Sequence, residues 1–345
     1  MSQLSNPSLL LMRNEEELHA NKVLVINANR DGFLSQLKQL NPNGDVHAFS
    51  YNIADHQTAE QYSGVLSSVD HSLPAIDDLD LIIYFYPKSK PEAMMMLDNI
   101  RAIATSKTRL LVVGHNKGGV KSVEKQLKPH AELFCKLDSA KHCVLYEFSE
   151  LHLLTEFDIE HYKTEFKVTV GDLEFSAISV PGVFNHGKLD VGTKLLLENI
   201  EVPYKGSVLD FGCGAGLIAT FMGSKQAALK LHCLDVNALA LYATEQTLQL
   251  NGLSAELILS DGLNNVPGQY NLLISNPPFH TGIATDYGIA DRFLSDSRQF
   301  LKSKGKVQIV ANNFLKYPPI LEQQFGTYTT LARNTKFTVY QAEKS

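Results

Sequence analysis

Along residues 151–345 the apolar positions fall into short runs separated by stretches of helical spacing. Ser207-Val-Leu-Asp-Phe211 is an apolar run closed by glycines, the pattern of a parallel strand buried on both faces. Leu217 to Ser224 has helical spacing, and Lys230-Leu-His-Cys-Leu-Asp235 reads as the next strand. Ala238 to Leu250 reads as a helix that Asn251-Gly252 stops. Ala255-Glu-Leu-Ile-Leu259, Tyr270-Asn-Leu-Leu-Ile-Ser275 and Gly305-Lys-Val-Gln-Ile-Val310 supply further strands. Strands alternating with helices predict right-handed crossovers and a mostly parallel sheet flanked by helices on both faces.

The first half repeats this rhythm more faintly. Lys22-Val-Leu-Val-Ile26 stands where Ser207-Val-Leu-Asp-Phe211 stands later, Asp78 to Tyr84 matches Gln269 to Ser275, and Arg109 to Gly114 matches Gly305 to Val310. A duplicated α/β domain explains the matching spacings, as would two unrelated α/β domains of similar size. The division expected is 1–150 and 151–345, with 149–170 as the connection leading into strands Phe166–Val170 and Leu173–Ile178 around a Gly171-Asp172 turn. The chemistry of the halves differs: after its first strand the N-terminal half has Asn27-Ala-Asn-Arg-Asp-Gly32, and after a later one Phe85-Tyr86-Pro87-Lys88.

Composition narrows the class. A length of 345 residues allows two domains, each with a core of its own. With 20% charged residues the chain reads as an ordinary globular protein, and the run around Leu81–Tyr86 is far shorter than a membrane span. The N-terminus has no basic region or cleavage site, so no signal peptide is expected. Cys135, Cys143, Cys213 and Cys233 show no CxxC pairing, which suits reduced thiols and a cytoplasmic location. The 12 histidines are scattered without ligand spacing, so no metal is expected. A net charge of −6 argues against coating nucleic acid by charge alone, leaving a local patch as the means of gripping it.

Asp210-Phe-Gly-Cys-Gly-Ala-Gly216 lies between a strand and a helix. Glycines there let the backbone approach a ligand, and the helix start offers free N–H groups. Asp235, ending the next strand, can accept from two ribose hydroxyls. The spacing is GxGxG rather than the GxGxxG of dinucleotide sites, and Asp210 would repel a pyrophosphate but anchor an ammonium. Asp261, after the following strand, can accept from an adenine amino group. As a set, Asp210, Gly212, Gly214, Gly216, Asp235 and Asp261 favour S-adenosyl-L-methionine; a plain tight turn is the bland alternative.

Asn276-Pro-Pro-Phe279 follows directly on the strand ending at Ser275. The prolines stiffen the turn and lack backbone donors, leaving carbonyls to face a site. The Asn276 side-chain carbonyl and the Pro277 backbone carbonyl can both accept from one exocyclic NH2, aiming its lone pair at an electrophilic methyl. Phe279 offers a face for an unstacked base. Read alone, the tetrad is also compatible with a rigid loop closing a strand.

The C-terminal half resembles class I S-adenosylmethionine-dependent methyltransferases of the NPP[FYW] type. Nearly the whole chain resembles the bacterial ribosomal RNA small subunit methyltransferase C family. Further shared segments are Pro181-Gly-Val-Phe184, Leu189-Asp-Val-Gly-Thr193, Ser275 to Gly282, Ile309 to Pro318 and, in the first half, Gly114 to Ser122. The resemblance implies two tandem Rossmann-like methyltransferase domains, the N-terminal one degenerate. It also implies methylation of a guanine N2 in 16S ribosomal RNA at position 1207, within the small subunit or an assembly intermediate. It places Asp210 to Gly216 and Asp235 on the methionine and ribose parts and Asp261 on the adenine. Asn276, Pro277 and Phe279 fall on the guanine, with Phe184 and Thr193 closing over the cofactor. His280 is a candidate for the substrate and equally a structural histidine.

Basic residues cluster at 107–128, where Lys117, Lys121, Lys125 and Lys128 would share one face of a helix. They suit RNA phosphates, and equally a solvated lysine face. Lys302, Lys304, Lys306 and Lys316 follow the tetrad without a pattern that singles them out. A folding-support role for the first half is a second possibility, and a monomer is expected because a duplication lets one chain mimic a dimer. The rival readings are a large-subunit guanine-N2 methyltransferase and, from another class, a non-catalytic RNA-binding or assembly protein.

Overall fold

A computed structural model describes residues 3–277 and 287–345. The chain divides into two compact units, Met1–Tyr162 and Lys163–Ser345. The division lies within the connecting segment anticipated from the sequence. It lies beyond residue 150, because a strand of the first unit runs through Leu151.

The strands of the first unit are β1 (Lys22–Ile26), β2 (Asp45–Ser50), β3 (Val65–Val69), β4 (Leu81–Phe85), β5 (Arg109–His115), β6 (Ala131–Ala140) and β7 (Cys143–Leu151). Its helices are α1 (Asn6–Met12), α2 (Phe33–Leu40), α3 (Ile53–Ala59), α4 (Lys90–Ile103) and α5 (Val123–Leu127). The second unit opens with a hairpin, β8 (Thr164–Val170) and β9 (Leu173–Ser179), turning at Gly171 as expected. Its sheet is built from β10 (Gly206–Phe211), β11 (Leu229–Asp235), β12 (Glu256–Leu259), β13 (Tyr270–Ser275), β14 (Leu301–Asn312), β15 (Thr329–Arg333) and β16 (Phe337–Glu343). Its helices are α6 (Val191–Glu198), α7 (Leu217–Lys225), α8 (Ala238–Leu250), α9 (Tyr287–Ser297) and α10 (Pro318–Phe325).

The two sheets share one strand order, β3-β2-β1-β4-β5-β7-β6 and β12-β11-β10-β13-β14-β16-β15. In each, five parallel strands are followed by an antiparallel pair. Local detail carries the duplication further. Asn27 after β1 keeps the left-handed turn, φ 57°, that Gly212 makes after β10 at φ 73°. Asn is among the few residues that tolerate it. Asn27 N–H donates to Phe49 O at 2.9 Å as Gly212 N–H donates to Leu234 O at 2.8 Å. Ser50 takes the place of Asp235: its Oγ accepts from Asn52 N–H at 3.0 Å, as Asp235 Oδ1 accepts from Asn237 N–H at 3.0 Å. The turns have survived while the acids have gone, for Val25 stands at the position of Asp210.

In the second unit, alternation along the strands builds a core on each face. Val208, Leu272, Ile274 and Val310 pack with Leu196, Ile218, Phe221, Met222, Leu241 and the β8–β9 hairpin. Leu209, Leu273, Val307 and Ile309 pack with Phe293, Leu294 and Leu321 on the other. By the same alternation Asp210 turns toward the α7 side, beneath the glycine loop.

The lysine segment departs from the expected single helix. Gly119 takes φ 91°, and the chain breaks into 3-10 turns at Asn116–Gly118 and Val120–Ser122, the short α5 and a further turn at Lys128–His130. Lys117, Lys121, Lys125 and Lys128 are all exposed, but Gly119 separates Lys117 from the helical run at 120–130 that carries the other three. Of the three adjacent methionines on α4, Met95 and Met96 are in the core and Met94 is exposed.

Candidate active site

The glycine loop turns through three left-handed residues, Gly212, Gly214 and Gly216. A Cβ on Gly212 or Gly214 would meet nothing within 4 Å, so the loop presents bare backbone to open space. Gly216 caps α7 and has a second constraint: a Cβ there would press against Thr244 at 3.0 Å. Gly212 and Cys213 both donate to Leu234 O, tying the loop to the end of β11.

Asp210 is buried at the root of this loop. Its Oδ2 accepts from Ala219 N–H at 3.2 Å, while Oδ1 has no hydrogen-bond partner. Burial pushes the carboxyl up to about 7, the Ala219 N–H opposing the shift and the nearby Asp235 carboxylate adding to it. A buried acceptor without a donor costs free energy unless a ligand supplies one.

Asp235 ends β11 as anticipated and is partly exposed. Oδ2 accepts from Gly214 N–H at 3.0 Å and Oδ1 from Asn237 N–H at 3.0 Å. Burial raises its pKa against those backbone donors. Each oxygen has a second lone pair, so the carboxylate that shapes the loop retains capacity for two more donors. Asp261 follows β12 at the same edge, where Ser260 N–H donates to Asp235 O at 3.1 Å.

Asn276 is held by contacts the sequence does not signal. Its Nδ2 donates to Asp190 Oδ2 at 3.0 Å and to Thr193 Oγ1 at 2.8 Å. The opposite amide orientation would set an oxygen against a carboxylate, so chemistry fixes which atom faces which. Asn276 Oδ1 is left buried without a partner. Asp190 is also the N-cap of α6, its Oδ2 accepting from Thr193 N–H at 3.0 Å. Gly192 leaves room for this: a Cβ there would stand 2.9 Å from Asp190 Oδ2. Ser275 Oγ donates to Phe211 O at 2.7 Å, fastening the end of β13 beside the glycine loop.

Thr193, expected near the cofactor, is buried with its hydroxyl engaged by Asn276. Phe184 is 51% exposed, on a turn pinned by His186, whose ring nitrogens meet Ser179 Oγ at 3.1 Å and Thr164 Oγ1 at 3.2 Å. Pro277 is buried after Asn276. Phe279 and His280 lie outside the described residues. The structure thus gathers Asp210, the three glycines, Asp235, Asp261, Asn276 and Thr193 at one edge of the second sheet. It adds Asp190, which is eighty-six positions from its partner Asn276.

Comparison with known proteins bears on the family and the fold. The profile described as Methyltransferase small domain matches residues 174–341, and Methyltransferase small domain N-terminal matches residues 8–166. A protein of Pseudoalteromonas translucida named Ribosomal RNA small subunit methyltransferase C is 57% identical over 99% of this chain and 100% of its own length. A protein of Colwellia psychrerythraea with the same name is 38% identical over 99% of this chain and 98% of its own. The structure described as T. thermophilus 16S rRNA N2 G1207 methyltransferase in complex with AdoMet and guanosine superposes with a TM-score of 0.85. It shares 20% identity over 99% of this chain and 92% of that one, which shows a common fold of two tandem Rossmann-like domains. The chain belongs to the ribosomal RNA small subunit methyltransferase C family.

Proposed function

We propose that this chain transfers a methyl group from S-adenosylmethionine to the exocyclic N2 of a guanine in 16S ribosomal RNA, at position 1207 in the bacterial count. The observation that carries the chemistry is Asn276, whose amide donors are occupied and whose Oδ1 is an unmet acceptor. The names of its relatives supply the RNA.

Bound S-adenosylmethionine supplies an electrophilic methyl on a sulfonium, released as a thioether. Its amino acid part carries an ammonium that Asp210 Oδ1, buried without a partner, is suited to accept from. Asp235 accepts from the ribose hydroxyls and Asp261 from the adenine amino group, with Gly212 and Gly214 giving close approach and Gly216 starting α7. Asn276 Oδ1 and the Pro277 carbonyl accept from the guanine NH2 and turn its lone pair toward the methyl. No base is needed before attack, because the amine sheds its proton to water after transfer. The work is positioning and electrostatics. By the family resemblance Phe279 is assigned to the guanine ring, His280 is a candidate substrate contact, and Phe184 is assigned to the cofactor.

The second unit is then the catalytic one and the first a degenerate copy that supports folding or grips RNA through Lys117, Lys121 and Lys125. The site works as a cytoplasmic monomer on the small subunit or an assembly intermediate. A purely RNA-binding protein is the weaker reading, because Asp210, Asp235 and Asn276 remain where the first unit has Val25, Ser50 and Phe85. The test is methyl transfer from labelled cofactor to unmethylated small and large subunits side by side. Label in small-subunit RNA, digesting to N2-methylguanosine, is the expected result. Label on the large subunit alone keeps the chemistry and overturns the target; no label with cofactor bound overturns both.

A further inference from the structure

Three short segments border Asn276 in the second unit. The first is the turn before α6, which Asp190 joins to Asn276. The second follows β14, which pairs with β13 so that Ile309 stands opposite Ser275. The third is the turn between β15 and β16, and it is fastened to the second. Asn313 N–H donates to Lys336 O at 2.8 Å, Asn313 Nδ2 donates to Asn334 O at 2.9 Å, and Thr338 Oγ1 donates to Asn313 Oδ1 at 2.6 Å. Phe337 closes the circuit, since a Cβ on Gly192 in α6 would come within 3.3 Å of its ring. The segments therefore form one connected rim beside Asn276.

The charge of this rim is one-sided. It carries Lys188, Lys316, Arg333 and Lys336, all exposed and none in an ion pair among the described residues. Asp190 is the sole acid between Glu174 and Glu198, and its Oδ2 is committed to Asn276 and Thr193. No acid occurs between Asp296 and Glu322, or between Glu322 and Glu343. In a chain of net charge −6 this is a locally cationic edge. The other lysines of β14 belong elsewhere. Lys302 and Lys306 sit toward the start of the strand, where Lys302 reaches Asn271 Oδ1 at 3.1 Å and Lys306 pairs with Glu201 at 2.6 Å.

Phe314 stands on the same rim, 55% exposed. Its turn is rigid: Leu315 N–H donates to Asn312 O at 2.9 Å, and Asn313 is anchored as described. An aromatic ring held in water on a fixed turn, among unpaired cations, matches what single-stranded nucleic acid requires: counter-charge for phosphates and a face for a base. Single-stranded geometry also follows from the chemistry, since a guanine amine reaches Asn276 only from an unstacked base.

We propose that this rim is the track for the RNA strand flanking the target guanine, with Lys188, Lys316, Arg333 and Lys336 contacting phosphates and Phe314 stacking on a neighbouring unpaired base. It rests on the RNA methyltransferase reading and places an RNA contact on the catalytic unit itself, in addition to any on the first.

The test uses the full chain and unmethylated small subunits, with KM and kcat measured across a salt series and S-adenosylhomocysteine affinity and Tm measured alongside. The variants are a triple Lys188→Gln, Lys316→Gln, Lys336→Gln, the single Phe314→Ala, and Lys117→Gln, Lys121→Gln, Lys125→Gln together for comparison. Each lost phosphate contact should lower the salt slope by about 0.7 to 0.9, so the rim triple flattens it by about two and raises KM about tenfold at moderate salt. Phe314→Ala raises KM about tenfold with the slope intact. Cofactor affinity and Tm should stay near wild type in both. A rim triple with wild-type KM and salt slope, whether or not the first-unit triple changes them, overturns the proposal. A wild-type chain that labels no ribosomal acceptor is a different failure, that of the functional reading, and removes the proposal with it.

Discussion

Asp210 Oδ1 is buried without a partner, and burial raises the carboxyl to about 7. The folded chain therefore holds this proton more tightly than the unfolded chain does. The resulting stabilisation is present below the ordinary carboxylate range, about pH 4, and is lost as pH rises through about 7. A cationic ligand reverses the preference by giving the ionised form its missing donor. Binding of S-adenosylhomocysteine, whose amino-acid ammonium stays protonated throughout the interval, should tighten roughly five- to tenfold between about pH 6 and about pH 7.5. Asp210→Asn should bind more weakly and lose most of that dependence. Titration calorimetry decides it; wild-type affinity that is flat across the interval would remove Asp210 from the ammonium. This residue was legible from the sequence because a lone acid in an apolar strand, directly before a glycine turn, has little structural use. Asp190 falls in the Leu189-Asp-Val-Gly-Thr193 segment that the family resemblance marks, but its hold on Asn276 was not legible, because the two lie on different elements and only the fold brings them together.

Helix α6 has eight residues, barely two turns, so its apolar spacing hardly rises above chance. Family resemblance, not periodicity, drew notice to this segment. Its Asp190 cap also clamps the Asn276 amide, so one carboxylate serves a helix and a proposed reaction. Asp190→Ala should cost about 1 kcal/mol of stability as a lost cap. Freed to rotate, Asn276 should also lower kcat about 10- to 100-fold, with cofactor affinity little changed. Asp190→Asn keeps an N-cap and should restore Tm and part of kcat. If Asp190→Ala lowers Tm alone, with kcat intact well below the transition, the clamp has no part in positioning. The lysine segment shows the converse error. Charges spaced by four, four and three suggest one helix, but Gly119 at φ 91° cuts Lys117 off from the helical run that carries the other three, and backbone preference outweighs a pattern carried only by solvated side chains.

Across the whole chain, two sheets of one strand order show how a fold outlasts its chemistry. Asn27 preserves the turn of Gly212 and Ser50 preserves a hydrogen bond of Asp235, yet Val25 has replaced the acid on which a cofactor would depend. The parallel strands were legible because burial on both faces leaves unbroken apolar runs such as Leu81–Phe85. The last antiparallel strands were not. Thr329–Arg333 is mostly exposed and nearly polar, and its place depends on pairing with β16 rather than on any pattern of its own. The target RNA lies beyond what the fold states, for the same sheet serves many acceptors. The central claim is that the second unit works as an amino-methyltransferase through Asn276. Its most direct test is kcat for methyl transfer to unmethylated small subunits by Asn276→Ala, measured beside the dissociation constant for S-adenosylhomocysteine. We predict kcat lower by about 100- to 1,000-fold with cofactor affinity within about twofold of wild type. Methylation by Asn276→Ala at the wild-type rate would contradict it.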